Sequence, residues 1–235
     1  MALVKVRNDA DDGWIEIGGQ VSIVQSDAAP GTTFPGMLWL DTNAVGPGVP
    51  LIKDNDGDTK INCEESGDED IIRMDTAGNE VWTMSAAGER IMAYQPSFLA
   101  YMSADMDNYA RITWHTLEFD TVEYNIGSHY NTDTYTFTAP VDGIYHFGAS
   151  LFMKDCDQSA NYYSLQMYFT GRNYATTFDP GQMGGDPARW PMTFTTQGQM
   201  DANDTCYVSY YQSGGADQTD IEMGTSTYFY GALLH

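Results

Sequence analysis

Apolar and polar residues alternate in short runs along much of the chain, which is the pattern of half-buried β-strands. In the run 134–139, Tyr135 and Phe137 fall on one face and threonines on the other, so this segment is predicted to be a strand. The sequence Pro-Val-Asp-Gly at 140–143 ends the run and predicts a tight turn. The run 144–147 then resumes the alternation, and the two segments are predicted to form a hairpin.

Further segments rich in Tyr, Met and Val predict the other strands of an antiparallel sandwich in the C-terminal part. These predicted strands are 97–103, 112–120, 161–170 and 205–212. The predicted loops between them are 125–131, 154–160, 171–191 and 213–220. Because aromatic and β-branched residues dominate these segments, the sequence predicts an all-β protein.

The N-terminal part has shorter runs, and none is long enough to fold alone. Two alternating runs, 2–6 and 20–24, predict an arm that packs on a partner. From 46 to 94, short strand-like runs are separated by turns, including an Ala-Gly turn at 77–78 and a second one at 87–88. Such strands cannot bury a core by themselves, so we expect three chains to wrap around one axis as an intertwined β stalk.

The charge of the chain excludes several classes of partner. The 235 residues include 10 Lys and Arg against 33 Asp and Glu, a formal net charge of −23. An acidic surface repels nucleic acid and anionic membranes, and it makes divalent cations plausible counterions. The sequence contains no apolar stretch long enough for a membrane span and opens without the apolar run of a signal peptide, so no membrane insertion is expected.

The three cysteines are Cys63, Cys156 and Cys206, and their spacing matches no metal-binding pattern. An odd number is a poor disulfide framework, which favours reduced thiols in a protein assembled in a cytosol. Pairing of Cys156 with Cys206 on neighbouring strands is the alternative that the sequence leaves open.

A fixed spacing of aromatic residues and glycines runs through the C-terminal part. The series is Phe119, Asn125, Tyr130, Phe137, Gly143, Tyr145 and Phe147, with Gly231 in the closing segment. Together with the segments 200–208 and 229–234, this spacing resembles the C1q/TNF-like domain over residues ~95–235. Ala149 departs from the family pattern, which usually has an aromatic residue there. The resemblance implies a jelly-roll sandwich that assembles as a homotrimer.

Two N-terminal segments are similar to bacteriophage fibre proteins. In 26–45, Pro-Gly pairs lead into Leu38-Trp39-Leu40-Asp41-Thr42, and 59–92 carries Thr-Lys-Ile followed by acidic and Ala-Gly motifs. The resemblance implies three parts: an attachment region at 1–45 that binds other virion proteins, a stalk at 46–94, and a C1q-like head at 95–235. The protein is then expected in the virion after assembly in the host cytoplasm.

Alternating aspartates make the turn at 54–58 a candidate metal site. Asp54, Asp56 and Asp58 occupy the first ligand positions of a calcium loop, and Glu65 falls at the twelfth. Thr59 stands where the loop requires glycine, so we favour a hairpin turn. No cofactor is predicted, and calcium is kept as the alternative at these three aspartates.

Catalytic motifs are not recognised in the sequence. The histidines lie in no nucleophile-elbow or zinc-ligand spacing; they are His115, His129, His146 and His235. A glycosidase needs only two suitably placed carboxylates, and in so acidic a chain some pair always lies close, so this signal is unspecific. We therefore predict a binding protein with no chemical step.

The head is predicted to bind the host surface, whether a glycan or a protein. The candidate receptor-binding residues lie in the predicted long loop, which combines two arginines with aromatic rings; they are Arg172, Tyr174, Phe178, Arg189 and Trp190. The alternative is that Trp190 packs beneath the loop and the arginines pair with nearby acids. For the whole protein, the alternatives are a capsid decoration or head-fibre protein and a glycan-depolymerising spike. The sequence leaves open the host, the receptor, and attachment to tail or capsid.

Overall fold

β-Strands form most of the described residues in the computed structural model. The structure describes residues 52–63, 65–66 and 69–235 in full, together with the backbone of Leu51 and of four short strands before it. The chain divides into two units, Met1–Ala93 and Tyr94–His235. The predicted subdivision into 1–45, 46–94 and 95–235 stays a prediction, as does the attachment role of the first 45 residues.

The first unit is a meander of short strands. Its strands are β1 (Val4–Arg7), β2 (Trp14–Ile17), β3 (Val24–Ser26), β4 (Trp39–Asp41), β5 (Leu51–Lys53), β6 (Lys60–Asn62), β7 (Ile72–Thr76), β8 (Asn79–Met84) and β9 (Arg90–Ile91). Strands β1 and β2 pair with each other, and β3 to β9 form a sheet in chain order. Strand β3 pairs with β4 in parallel, and each later pair is antiparallel.

The turns and side chains of this meander fit a thin, single-layered element. Strands β7 and β8 are joined at Ala77 and Gly78, whose φ values of 48° and 75° are those of a type I′ hairpin turn. Large apolar side chains on the described part of the sheet remain exposed, at 40% for Ile52 and 62% for Ile91. The predicted short strands and Ala-Gly turn at 77–78 are confirmed, and their wrapping with other chains stays a prediction.

The second unit is a sandwich of two antiparallel sheets. Its strands are β10 (Ser97–Met102), β11 (His115–Thr116), β12 (Thr121–Ile126), β13 (Tyr130–Asn131), β14 (Thr136–Thr138), β15 (Gly143–Lys154), β16 (Tyr162–Phe169), β17 (Arg172–Phe178), β18 (Arg189–Met200), β19 (Thr205–Ser213), β20 (Asp220–Ile221) and β21 (Gly224–Leu233). The first sheet has the order β12-β10-β21-β15-β18, with β20 paired to β15. The second sheet has the order β13-β14-β19-β16-β17, with β11 paired to β19. The prediction of an all-β, jelly-roll sandwich is confirmed.

The core between the sheets is aromatic. Phe137, Tyr145 and Phe147 are all 0% exposed. The ring of Phe98 from β10 stacks on Phe137 with centroids 5.3 Å apart and on Tyr130 at 4.5 Å. Because each ring gains from burial and from ring–ring geometry, this cluster fixes how the two sheets pack.

The remaining signature residues support that core. Asn125 holds the turn between β12 and β13, since its side-chain amide donates to the carbonyl of Tyr130 at 2.7 Å and its oxygen accepts from the Tyr130 amide at 3.2 Å. The Tyr130 hydroxyl donates to the carbonyl of Phe119 at 2.9 Å. A Cβ at Gly231 would collide with the ring of Phe147, so glycine is required there for the ring to lie on β21. Gly143, predicted as a turn glycine, is the first residue of β15 and pairs with Met200 on β18.

The hairpin predicted through residues 140–143 is wrong. Strand β14 pairs with β13 and β19 in the second sheet, while β15 pairs with β18, β20 and β21 in the first. The Pro-Val-Asp-Gly segment therefore crosses from one sheet to the other. The alternation was also read too far: β14 contains only Thr136–Thr138, and Tyr135 has a φ of 57° and lies in the preceding turn.

Other strand predictions had mixed outcomes. Strands at 97–103, 161–170 and 205–212 are confirmed. Of the predicted strand 112–120 only His115–Thr116 forms a strand, and the predicted loop 125–131 contains the end of β12 and all of β13. The predicted loop 171–191 contains the whole of β17, a turn of 3₁₀ helix at Pro180–Gln182 and the start of β18. Gly171 and Pro180–Gly181 lie at turns, whereas Pro191 lies within β18 and pairs with Phe152.

All three cysteines are free thiols. Cys63 is exposed, whereas Cys156 and Cys206 are buried in the sandwich and do not pair with each other. Burial raises the pKa of the Cys156 thiol to about 12 and that of Cys206 well above its ordinary value. Across the described residues, no helix has the length and apolar character that crossing a membrane requires.

Candidate functional site

The outer face of the first sheet, which points away from the core, carries a ridge of large side chains. Leu99 on β10 lies between Tyr124 on β12 and Tyr230 on β21. One pair further along, Tyr101 lies opposite Tyr228. Because cross-strand partners share a face, these side chains form one continuous surface. We call Leu99, Tyr101, Tyr124, Tyr228 and Tyr230 the tyrosine ridge.

The tyrosine ridge remains partly open to solvent in the single chain. Tyr124 is 45% exposed and the neighbouring Ile126 is 37% exposed, while the other ridge residues are half-buried. The rings of Tyr228 and Tyr230 have centroids 6.2 Å apart. Tyr230 lies across Gly148 on β15, where a Cβ would collide with its ring. The sequence analysis did not single out the ridge, because only strand pairing brings β10, β12 and β21 side by side.

His146 borders the ridge and presents an unusual polar atom. Its ring lies 5.8 Å from that of Tyr230, and its Nε2 atom is 3.5 Å from the Tyr230 hydroxyl. The Nδ1 atom is buried without a hydrogen-bond partner. Because side chains alternate along β15, His146 faces away from the core residues Tyr145 and Phe147. The contacts of His146 with Tyr230 indicate a packing role beside the tyrosine ridge.

The predicted receptor-binding residues separate into two groups. Arg172 and Tyr174 lie at the start of β17, where the Arg172 guanidinium donates to the carbonyl of Gln199 and lies 5.2 Å from the centroid of the Phe169 ring. The Tyr174 ring meets Phe169 edge-on at 5.7 Å and is 40% exposed. Phe178 ends β17, six residues after Arg172, so about 20 Å of strand separates these two residues.

The second group comprises Phe178, Arg189 and Trp190. Phe178 and Trp190 stack with centroids 4.3 Å apart and an interplanar angle of 10°. An Arg189 Nη1 atom lies 3.3 Å from a Glu222 carboxylate oxygen, and its guanidinium lies 5.6 Å from the Phe152 ring centroid. These contacts are those of a packed tryptophan and a paired arginine. Extended β17 keeps this group apart from Arg172 and Tyr174.

The aspartates at 54–58 form the predicted hairpin turn between β5 and β6. The Oδ1 atom of Asp54 accepts from the amides of Gly57 at 3.0 Å and Thr59 at 3.2 Å. The Thr59 amide is the largest of the contacts that lower the pKa of Asp54. Carboxylate oxygens of Asp54, Asp56 and Asp58 lie within 4.8 Å of one another, and all three residues are exposed. Calcium at this turn stays the alternative to the predicted hairpin turn.

Comparison with known structures gives distant likenesses over part of the chain. The globular domain of zebrafish complement 1qA protein has 12% identity and a TM-score of 0.46, covering 60% of this chain and 98% of that one. Murine APRIL at pH 8.0 has 9% identity and a TM-score of 0.44, covering 60% of this chain and 99% of that one. Among curated protein sequences, no significant match was found.

Comparison with protein-family models identifies the second unit directly. The model described as the C1q domain matches residues 97–234, which is more than half of the chain. The match begins at the first residue of β10 and extends past the end of β21. It therefore spans both sheets, the aromatic core and the tyrosine ridge. The chain belongs to the C1q domain family.

Proposed function

We propose that the protein is a trimeric virion fibre of a bacteriophage whose C1q domain binds the host surface. Domains of the C1q family are often trimeric, and they are typically binding or structural modules without enzymatic activity. The tyrosine ridge carries the proposal of self-association. In the proposed trimer, each ridge is covered by a second copy of the same chain.

The chemistry of the ridge supports that occupant. Leucine and tyrosine side chains that share one sheet face supply apolar area, and tyrosines add hydroxyls that hydrogen-bond at the edge of an interface. The positions beside the ridge are small, with Gly148 under Tyr230 and Ala232 further along β21. A flat, uncharged surface of this kind suits an obligate interface, which buries about 2,000 Å² or more.

The first unit supports the fibre part of the proposal. Its described strands form a single-layered sheet, and the apolar Ile91 on β9 and Met92 directly after it are 62% and 55% exposed. Three copies wound together would cover these side chains. The likeness of 26–45 and 59–92 to phage fibre proteins supports a place in the virion, assembled in the host cytoplasm. Residues 1–45 are proposed to bind other virion proteins.

Receptor binding is assigned to the C1q domain, and Arg172, Tyr174, Phe178, Arg189 and Trp190 remain the contacts proposed from the sequence. The two groups that these residues form would act as separate contacts. Arg189 is the more accessible of the two arginines, with 62% of its side chain exposed, whereas Arg172 is half-buried. Its partner Glu222 would have to release it to an anionic ligand.

Adsorption competition with the full chain tests the adhesion proposal. Purified protein added before the phage should block adsorption to host cells, and an antibody against the chain should label a fibre on the virion. Antibody label spread over the capsid, with no competition, would replace adhesion by shell decoration. Release of reducing ends from host polysaccharide would contradict a binding role without chemistry.

A further inference from the structure

The outer face of the second sheet lacks charge in a chain that is otherwise rich in it. Outward positions of β16, β17 and β19 hold only Tyr, Ser, Thr, Asn, Gln and Ala. The whole chain has 33 acidic and 10 basic residues. This face lies on the opposite side of the sandwich from the tyrosine ridge, so a trimer closed through the ridge leaves it accessible.

Three aromatic rings form a row at one end of this face. Tyr211 on β19 lies between Trp114 and Tyr162, with ring centroids 5.0 Å and 6.0 Å away. The interplanar angles are 33° and 31°. Trp114 is 47% exposed and Tyr162 is 39% exposed, so their apolar surfaces meet solvent. We call these three residues the aromatic row.

A second aromatic pair lies further along the same strands. Tyr168 and Tyr207 are cross-strand partners with centroids 5.0 Å apart. Tyr207 precedes Tyr211 by four residues on β19, a distance of about 13 Å. Between the two sets lie the short side chains of Ser164 and Ser209, so tall rings flank a lower strip.

Neutral hydrogen-bonding groups line this strip. The Gln166 and Asn173 side-chain amides bond to each other at 2.8 Å. Whichever way the two amides are oriented, one NH₂ group and one carbonyl oxygen remain for a ligand. The strip thus offers a donor and an acceptor that carry no charge.

The segment that carries Trp114 is held in place before any ligand arrives. Ile112 has a φ of 61°, a strained value for a β-branched residue, and its amide donates to the Gln212 carbonyl at 2.8 Å. The Arg111 amide donates to the Asp217 carboxylate at 2.7 Å. A ring fixed in this way loses little conformational freedom on binding.

We infer that this face binds an uncharged saccharide, with sugar rings packing on the aromatic row and hydroxyl groups bonding to the amides of the strip. The C–H face of a pyranose matches an aromatic ring, while its hydroxyls match neutral donors and acceptors. An uncharged face avoids the cost of desolvating ions, and the net charge of −23 repels anionic polysaccharides. The inference rests on the proposed host-binding role and names its ligand class and surface.

Binding of the full chain to immobilised dextran, mannan and galactan tests the inference, with alginate as the anionic counterpart. We expect binding to at least one neutral polymer and not to alginate. Trp114→Ala and Tyr211→Ala should each weaken it about tenfold, as loss of an aromatic contact predicts. Trp114→Phe should restore most of the affinity. Tyr94→Ala is the matched control, because this tyrosine is 55% exposed and precedes β10 of the other sheet, so binding should be unchanged.

Native mass and melting temperature of each variant show whether it is folded. Equal binding by folded Trp114→Ala and Tyr211→Ala variants overturns the inference, as does binding to alginate as tight as to the neutral polymers. Protein that binds whole bacterial cells but none of the neutral polymers overturns the inference and leaves the adhesion proposal standing. Protein that binds neither overturns both.

Discussion

Phe137 shows how individual aromatic residues determine the packing of this sandwich. Its ring stacks on that of Phe98 from the first sheet, and its centroid lies within 5.5 Å of the ring centroids of Tyr145 and Phe147. It is fully enclosed, so removing it leaves a cavity that the neighbouring rings can only partly fill.

Phe137→Ala is therefore expected to lower the free energy of unfolding by about 3–5 kcal/mol. Tyr135→Asn is the control, because Asn tolerates the positive φ of this turn residue and little burial is lost. Denaturant unfolding of both variants measures the difference. Equal losses of unfolding free energy in the two variants would indicate that Tyr135 shares the buried strand face of Phe137, as the sequence predicted.

The three thiols differ in their environments, and this predicts selective reactivity. Thiolates react and thiols do not, so the raised pKa of Cys156 and Cys206 adds to their inaccessibility. We expect a thiol reagent to modify Cys63 alone in the native protein and all three cysteines after denaturation. Cys63→Ser should abolish the native reaction, and rapid modification of that variant would contradict the burial of the other two.

At the scale of elements, charge pairing supports the described part of the meander. Arg73 on β7 bonds Glu69 at 2.6 Å and lies 3.0 Å from Glu80 on β8. The backbone amide of Glu65 and the Arg73 guanidinium lower the pKa of Glu69 from 4.5 to about 2. This carboxylate therefore stabilises the folded state only while it is ionised.

The pH dependence of the Glu69→Gln variant tests this pairing. Because the folded pKa is depressed, the stabilisation is complete above pH 4.5 and is lost as the pH falls towards about 2. The wild-type chain should melt at a higher temperature than Glu69→Gln at pH 7, and the difference should disappear across that window. A difference that persists at pH 2 would show that the substitution acts through packing instead.

At the scale of the whole molecule, the two outer faces of the sandwich have different proposed partners. The tyrosine ridge is proposed to contact other copies of the chain, and the aromatic row is proposed to bind the saccharide. Each surface draws on strands that are distant in sequence, so each depends on the complete jelly roll.

Native mass measurement tests the assembly. The full chain should have three times the 26.1 kDa mass of one copy in dilute buffer. Tyr124→Arg, on the ridge, should lower that mass because a buried unpaired charge is costly in an apolar interface. Tyr174→Arg introduces the same charge outside the ridge and should leave the trimer intact. A stable, folded monomer of the wild-type chain would contradict the assembly.

The sequence by itself determined the fold class and the core. Period-two alternation locates strands at β10, β16 and β19, because side chains of a strand alternate between core and solvent wherever the chain goes. The spacing of residues such as Phe137, Phe147 and Gly231 identified the domain. Those positions meet in one core, so their order along the chain carries the fold.

Only the tertiary structure decided which strands are neighbours. A turn sequence such as Pro-Val-Asp-Gly fits a hairpin, which reverses the chain, and equally fits a crossover from one sheet to the other. Which of the two forms depends on the strands with which β14 and β15 pair. The same reason hid both outer faces. Leu99 pairs with Tyr230, and the ring of Trp114 contacts that of Tyr211, although the residues of each pair are more than 90 positions apart. Contacts between residues so distant in sequence cannot be predicted from a local pattern.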